Sequence, residues 1–392
     1  MIHGRARSGR GWQEGHVIVA PDKFKGSLTA PEVAGHLAAG LRRARPDVPV
    51  VSIPVADGGD GTVDAMVAAG FAGMQTGVTG PVGNPVAASF AMRGETAVVE
   101  LAEASGLRRL PGRPTPITAR TASSVGTGEL MRTAVLRGAQ RIVLGLGGSA
   151  CTDGGAGILT ALGARLLDGD GEPLPPGGVA LQRLERIEID GLVRVPVIVA
   201  SDVDNPLLGA RGAAHVYGPQ KGAGPDDVEE LERGLARLAD VVRRDLGVDA
   251  AHRPGAGAAG GVGFAALAVL GARIEPGIDL VLRELDFDQR LAGARLVITG
   301  EGSLDRQTLQ GKAPMGVARA AARAEVPVIA VSGQRTVTRE ALRRFRIEDA
   351  YALTDIEPDP QVCMTHAGPL LEQLATRIAA TRLGAQPVRN HQ

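Results

Sequence analysis

Four times along this 392-residue chain an apolar run breaks into a stretch rich in glycine and charged residues, and then resumes with helical spacing. The stretches are PDKFKGS (21–27), ADGGDGT (56–62), GLGGSACTDGGAG (145–157) and GEGSLDRQTLQGKAP (300–314). Each is expected to follow a strand and precede a helix. Continuous apolar strands joined in this way imply parallel sheets covered on both faces, so the chain reads as α/β. Ligands of open α/β sheets bind beyond the carboxyl ends of the strands, where such loops gather.

The first unit is expected from a strand over 16–20 and a helix over 29–44, with Thr29 and Glu32 as a capping box. A strand over 48–56 and a helix over 61–70 follow. Residues 73–94 read instead as short strands with turn signals. The α/β style then returns: helix 122–137, strand 141–148, helix 155–165, strand 195–203, and a charged helix over 226–246. The stretch from 295 onward (strand 295–300, helix 313–324, strand 326–333, helix 366–382) resembles the beginning. The expected organisation is an outer domain of 16–72 with 290–385, an inserted domain of 73–289, and a disordered leader of 1–15.

Composition removes several classes. With 43 basic and 43 acidic residues the formal charge is zero, and only 2% of residues are aromatic. That leaves neither an electrostatic footprint for nucleic acid nor platforms for stacking bases. Two cysteines, Cys151 and Cys363, cannot build a disulfide framework or a thiolate zinc site. The start lacks the apolar core of a secretory signal, and no stretch approaches a membrane span. The expectation is a soluble, cytosolic protein with no membrane or nucleic-acid partner.

The basic residues are nearly all arginine; the only lysines are Lys23, Lys25, Lys221 and Lys312. Lys25, Lys221 and Lys312 each adjoin a glycine. An ammonium on a flexible stem can follow a phosphoryl group as its charge moves, whereas a guanidinium is a planar fork. Glycine loops at helix starts offer backbone N–H groups to the same anion. Asp57, Asp60, Asp153, Asp202, Glu301 and Asp305 lie in or beside these turns, and phosphoryl transfer needs carboxylates for a divalent cation and for the acceptor proton. For any single aspartate beside glycine, an Asx turn or helix cap is the commoner role.

Other motifs fail. The only GK continues into Ala313, so there is no P-loop lysine motif. GLGGSA (145–150) matches a dinucleotide fingerprint, with Asp168 or Asp170 near the acidic position, and supports a rival reading as an NAD(P)-dependent oxidoreductase of a small hydroxy acid. Against it, the helix is expected only after CTDGG, and the acid sits in a turn. GAGAAG (255–260) follows no strand. Cys151 stands without a partnering histidine and is expected to be buried.

Together the stretches VIVAPDKFKGSLTA (17–30), PVADGGDGTVDAM (54–66), TGPVGNPV (79–86), SVGTGEL (124–130), GLGGSACTDGGAGILTALGA (145–164), SDVDNPLLGARGAA (201–214), YGPQKGA (217–223), GAGAAGGVGFA (255–265) and VITGEGSLDRQTLQGKAPMGVA (297–318) closely resemble one family, the bacterial ATP-dependent D-glycerate kinases. The resemblance runs in order from about residue 16 to 383. Lys23 departs from it, since that position often carries serine. So does Ser303–Leu304, where Arg-Ile is commoner.

The resemblance implies two non-similar three-layer α/β domains, one discontinuous, with an interdomain active-site cleft. It also implies transfer of the ATP γ-phosphoryl to a hydroxyl of D-glycerate, most often giving 2-phosphoglycerate, with Mg²⁺; a monomer or homodimer is expected. On this reading Lys25 and Lys312 neutralise the moving phosphate, and Glu301 and Asp305 hold the metal. Asp202 or Asp57 takes the substrate proton. Gly58, Gly59, Gly61, Gly147, Gly148, Ser149, Asp153, Gly154 and Gly155 cradle phosphate oxygens, while Ser27, Asn205 and Lys221 orient glycerate.

Overall fold

A computed structural model describes residues 15–384. The basic leader expected over 1–15 lies, but for Gly15, outside the described residues. In chain order the strands are β1 (His16–Pro21), β2 (Val50–Ser52), β3 (Ala72–Thr79), β4 (Pro85–Arg93), β5 (Thr96–Glu100), β6 (Arg141–Gly145), β7 (Arg165–Leu167), β8 (Arg186–Glu188), β9 (Val197–Ala200), β10 (Arg273–Glu275), β11 (Ala294–Leu304), β12 (Val328–Arg335) and β13 (Ile347–Ala352).

The described residues divide into two compact units: one holds those up to Ala56 and from Val281 onward, the other Asp57–Leu280. The division at Asp57 lies earlier than the sequence boundary after residue 72. The reason is that helix Thr62–Ala68 packs on β4 and β5 of the second unit.

The first unit is built on a five-stranded sheet in the order β13-β12-β11-β1-β2, with every pairing parallel. Helix Ala30–Ala44 starts as its sequence demands: Thr29 N donates to Glu32 Oε2 at 2.8 Å, and Glu32 N donates back to Thr29 Oγ1 at 3.4 Å. Its apolar face (Val33, Leu37 and Leu41) joins Leu371, Leu374 and Ile378 of helix Ala367–Arg382 over Val17, Val19 and Ile298 of the sheet. The alternate strand residues Ile18 and Val297 are fully buried as well, and helix Ala313–Arg323 packs on β11 and β1. Burial on both sides is why these strands read as unbroken apolar runs.

The second unit carries a six-stranded sheet in the order β10-β9-β6-β5-β4-β3. β10, β9, β6 and β5 run parallel, and β4 and β3 complete it as an antiparallel meander. β7 and β8 form a separate antiparallel pair. The core joins β-strand residues such as Ile142, Leu144 and Val199 to Leu130, Ile158, Leu235, Leu238 and Val262 of the surrounding helices. Among the described residues no helix is long and apolar enough to cross a membrane.

Candidate active site

In the first unit the candidates collect at the carboxyl edge of the parallel sheet. β1 ends at Pro21, which pairs in register with Gly300 of β11, and Asp22 N donates to Gly300 O at 2.8 Å. The loop after β1 then runs beside the end of β11: a Cβ on Gly302 would stand 3.2 Å from Lys25 N. β11 is longer than expected, so Glu301 and Gly302 belong to the strand rather than to a loop.

Glu301 is buried. Its Oε1 accepts the Thr308 hydroxyl, and its Oε2 lies 3.6 Å from the Lys312 ammonium, which stands at the entrance of helix Ala313–Arg323. Asp305 Oδ1 accepts from Gln307 N at 2.8 Å and Thr308 N at 3.2 Å, so one of its oxygens folds the turn. Lys25 is exposed; Lys23 instead lies 3.6 Å from Oδ1 of Asp22. Ser27 Oγ donates to Met364 O at 2.6 Å, which ties its loop to helix Pro360–Thr365 rather than leaving the hydroxyl to a ligand.

In the second unit the bend at 57–61 lies across the carboxyl ends of β6 and β9. A Cβ on Gly147 would meet Gly59 Cα at 2.4 Å, one on Gly145 would meet Gly58 O at 2.5 Å, and one on Gly58 would meet Ala200 O at 2.8 Å. Glycine is required here because backbone touches backbone. Asp57 Oδ1 accepts Gly59 N at 3.1 Å and Asp202 Oδ1 accepts Gly277 N at 3.1 Å. Gly277 also backs onto the Asp57 carbonyl, so one residue brings Asp57 and Asp202, the two proton-acceptor candidates, to the same end of the sheet.

Several expected ligand contacts turn out to be internal. Asp153 is 1% exposed, and its carboxylate accepts Ser124 N at 2.7 Å, Ser124 Oγ at 2.9 Å, Ser123 Oγ at 3.2 Å, Gly155 N at 3.1 Å and Gly157 N at 3.2 Å. A carboxylate so enclosed organises the loop; it does not cradle phosphate. Gly154 and Gly155 are buried too, and Gly154 N donates to Gly260 O at 3.0 Å. Ser149 is buried beside Gly106, whereas Gly148 is exposed, Gly59 and Gly147 are half-buried, and Gly61 N donates to Glu100 Oε2 at 3.0 Å.

Lys221 is 1% exposed. Its ammonium donates to Cys151 O and, at 3.4 Å, to Thr152 Oγ1, and burial depresses its proton affinity despite the nearby Asp153. It clamps the glycine loop from below and has no face for glycerate. Asn205 is likewise engaged on both sides, donating to Arg211 O at 2.7 Å and accepting from Tyr217 OH at 2.7 Å. Cys151 is buried and its thiol is pushed up by that burial, which agrees with an unreactive core cysteine.

Two residues escaped the sequence reading. Glu100, at the end of β5, is 1% exposed and accepts Gly61 N at 3.0 Å and Val63 N at 3.3 Å. Arg108 reaches Glu100 at 3.3 Å and Asp60 at 2.7 Å. The signal was a short TAVVE run ending in a carboxylate, which the sequence reading left unassigned.

The dinucleotide reading of 145–150 has no support: the next helix begins only at Ala156, and Asp168 accepts from Asp170 N and Glu172 N within a turn. Among the described residues no three or more His, Cys, Asp or Glu side chains form a metal-binding group. Two carboxylates such as Glu301 and Asp305 would suit only a cation of the Mg²⁺ kind, which keeps waters and takes one or two carboxylates plus substrate phosphates.

The chain matches the model of the glycerate kinase family over residues 17–383. It is 43% identical to the glycerate kinase of Bacillus subtilis (strain 168), across 93% of this chain and 97% of that one. It is 46% identical to the glycerate 2-kinase of Escherichia coli (strain K12), across 82% and 85%. A crystal structure from Salmonella typhimurium LT2 that carries the name glycerate kinase 2 superposes with a TM-score of 0.82 at 41% identity, covering 94% of this chain and 98% of that one. Identity at this level over nearly the whole length, together with the shared architecture, makes this chain an enzyme of the glycerate kinase family.

Proposed function

We propose that the protein transfers the γ-phosphoryl group of ATP to the 2-hydroxyl of D-glycerate, giving 2-phospho-D-glycerate and ADP in the cytoplasm. The family match supports the reaction class, and one feature of this chain supports the phosphoryl assignment most directly. The Lys312 ammonium faces Glu301 at the carboxyl edge of β11, beside the loop that carries the exposed Lys25. Compact cations at that edge suit a group whose charge moves during transfer.

In this proposal Lys25 and Lys312 compensate the charge on the transferring group. Glu301 and Asp305 are the groups that would hold Mg²⁺, which supplies charge neutralisation of the nucleotide phosphates when bound. Asp57 or Asp202 accepts the hydroxyl proton, and the exposed Gly148 offers its amide to phosphate oxygens, while the amides of Gly59 and Gly61 hold the bend itself.

Phosphorus NMR of the purified protein with Mg-ATP and D-glycerate tests this reading. Growth of a 2-phosphoglycerate resonance at the rate of ADP formation is expected. A 3-phosphoglycerate resonance would overturn the regiochemistry, and ADP formation independent of glycerate would overturn the acceptor.

A further inference from the structure

The 57–61 bend is held by an ionic device that none of its glycines explains. Glu100 ends β5 beneath the bend, and its Oε2 accepts Gly61 N at 3.0 Å and Val63 N at 3.3 Å. Arg108, on the turn of 3₁₀ helix Leu107–Arg109, lies over the same carboxylate, with Nη2 at 3.3 Å from Glu100 Oε1. The same nitrogen also pairs with Glu103, and Nε donates to Ala102 O at 3.4 Å. The stem of the guanidinium is therefore fixed on one side by two acids and a carbonyl.

Its other side faces the bend. Nη1 is 2.7 Å from Asp60 Oδ1, yet that oxygen receives no aligned hydrogen bond from any group. The two side chains are 41% and 46% exposed overall, so the pair sits at the rim, although the unpartnered Asp60 oxygen is itself shielded from solvent. Screened, misaligned pairs of this kind are weak. A guanidinium fork, by contrast, is suited to planar, bidentate capture of a carboxylate or a phosphoryl group.

We propose that Arg108 is an anion-binding residue of this enzyme, held in place by Glu100 and Glu103, and that Asp60 occupies its outer face until a substrate anion displaces it. Asp60 is a competitor for the guanidinium, not its permanent partner. The anion is a carboxylate or a phosphoryl group, and those two sources, hydroxy acid and nucleotide, are separated by experiment. The inference rests on the proposed function for the identity of the substrates, but not for the existence of the anion site.

Calorimetric titration with D-glycerate, with ATP and with inorganic pyrophosphate, on the wild-type chain and on Arg108→Met, Arg108→Lys and Asp60→Asn, tests it. Loss of a charge-assisted contact should weaken the relevant anion by roughly ten- to a hundredfold in Arg108→Met. Arg108→Lys should recover part of that, since it restores charge without the fork.

Asp60→Asn should shift affinity the opposite way, tightening the same anion, because its competitor is neutral. A shift confined to D-glycerate assigns the carboxylate; a shift shared by ATP and pyrophosphate assigns the phosphoryl group. A purely structural ion pair would lower the melting temperature in both Arg108→Met and Asp60→Asn and leave all three dissociation constants within twofold, which overturns the proposal. Because pyrophosphate binding needs no turnover, failure to form phosphoglycerate would count against the proposed function alone.

Discussion

The ammonium of Lys312 stands 3.6 Å from Oε2 of Glu301, a carboxylate whose other oxygen already accepts the Thr308 hydroxyl. Lys312→Met removes the cation and keeps the stem. Removing one preorganised electrostatic contact to a transition state typically lowers turnover about a hundredfold or more. That loss is expected in kcat with glycerate and ATP saturating, while far-UV circular dichroism stays unchanged. A variant with kcat within threefold of wild type would remove Lys312 from the chemistry.

Gly277→Ala tests the placement of the bend. A Cβ at this position would lie 1.7 Å from the Asp57 carbonyl, so the 57–61 segment must move. Turnover should fall at least about tenfold, since misplacement of catalytic groups by a fraction of their contact distance is costly. Gly35→Ala is the control: it lies in helix Ala30–Ala44 with nothing within 4 Å of the added methyl, and should stabilise by up to ~1 kcal/mol without affecting the rate.

Burial raises the Glu100 carboxyl above the ordinary glutamate range to about 7, against the opposing pull of Arg108 and of the Val63 amide; Asp60 and Glu103 add to the rise. A group whose folded pKa exceeds its unfolded value stabilises the fold below the unfolded pKa, and that stability is lost as pH rises through the folded one. Between pH 4.5 and about 7 wild-type stability should therefore decline relative to Glu100→Gln, by an amount of order 3 kcal/mol at most. Urea melts of the two proteins at pH 5 and pH 8 measure it. A stability difference independent of pH would show that Glu100 stays ionised throughout.

Asp153→Asn should behave as a stability variant. The amide replaces one of two acceptor oxygens with a donor, facing a set of two hydroxyls and three backbone amides. A cost of about 2–4 kcal/mol is expected from the unsatisfied groups. Denaturant midpoints should fall, while KM for ATP in the folded fraction stays within about twofold, as expected for a carboxylate that organises a loop without touching phosphate.

What the sequence disclosed was local. The Thr29–Glu32 box and most of the apolar strands are decided by residues close in the chain and form as expected, whereas the strand expected over 48–56 is confined to Val50–Ser52 and β11 runs on into the glycine stretch at 300. What it concealed depends on distant partners. The glycines at 145 and 147 could equally serve a ligand or a neighbouring backbone; only the path of residues 58 and 59 decides that they serve the backbone. Lys221 shares its glycine neighbour with Lys25 and Lys312, yet the helices around it close over its ammonium. The stretch GAGAAGGVGFA also hid the helical turns that run from Val262 to Ala268, because Ala259, Gly260 and Gly261 kink the chain with left-handed backbone angles and the residues after them are buried all round, leaving no polar face to mark a period.

Gly277 backing onto Asp57 has a topological meaning. Residues 57–280 leave the polypeptide and return to it at one spot, with the first residue of the segment touching a residue three short of its last. Such a segment is nearly a ring. Its excised ends can be joined by a brief linker, and new termini can be opened elsewhere on it without lengthening any connection.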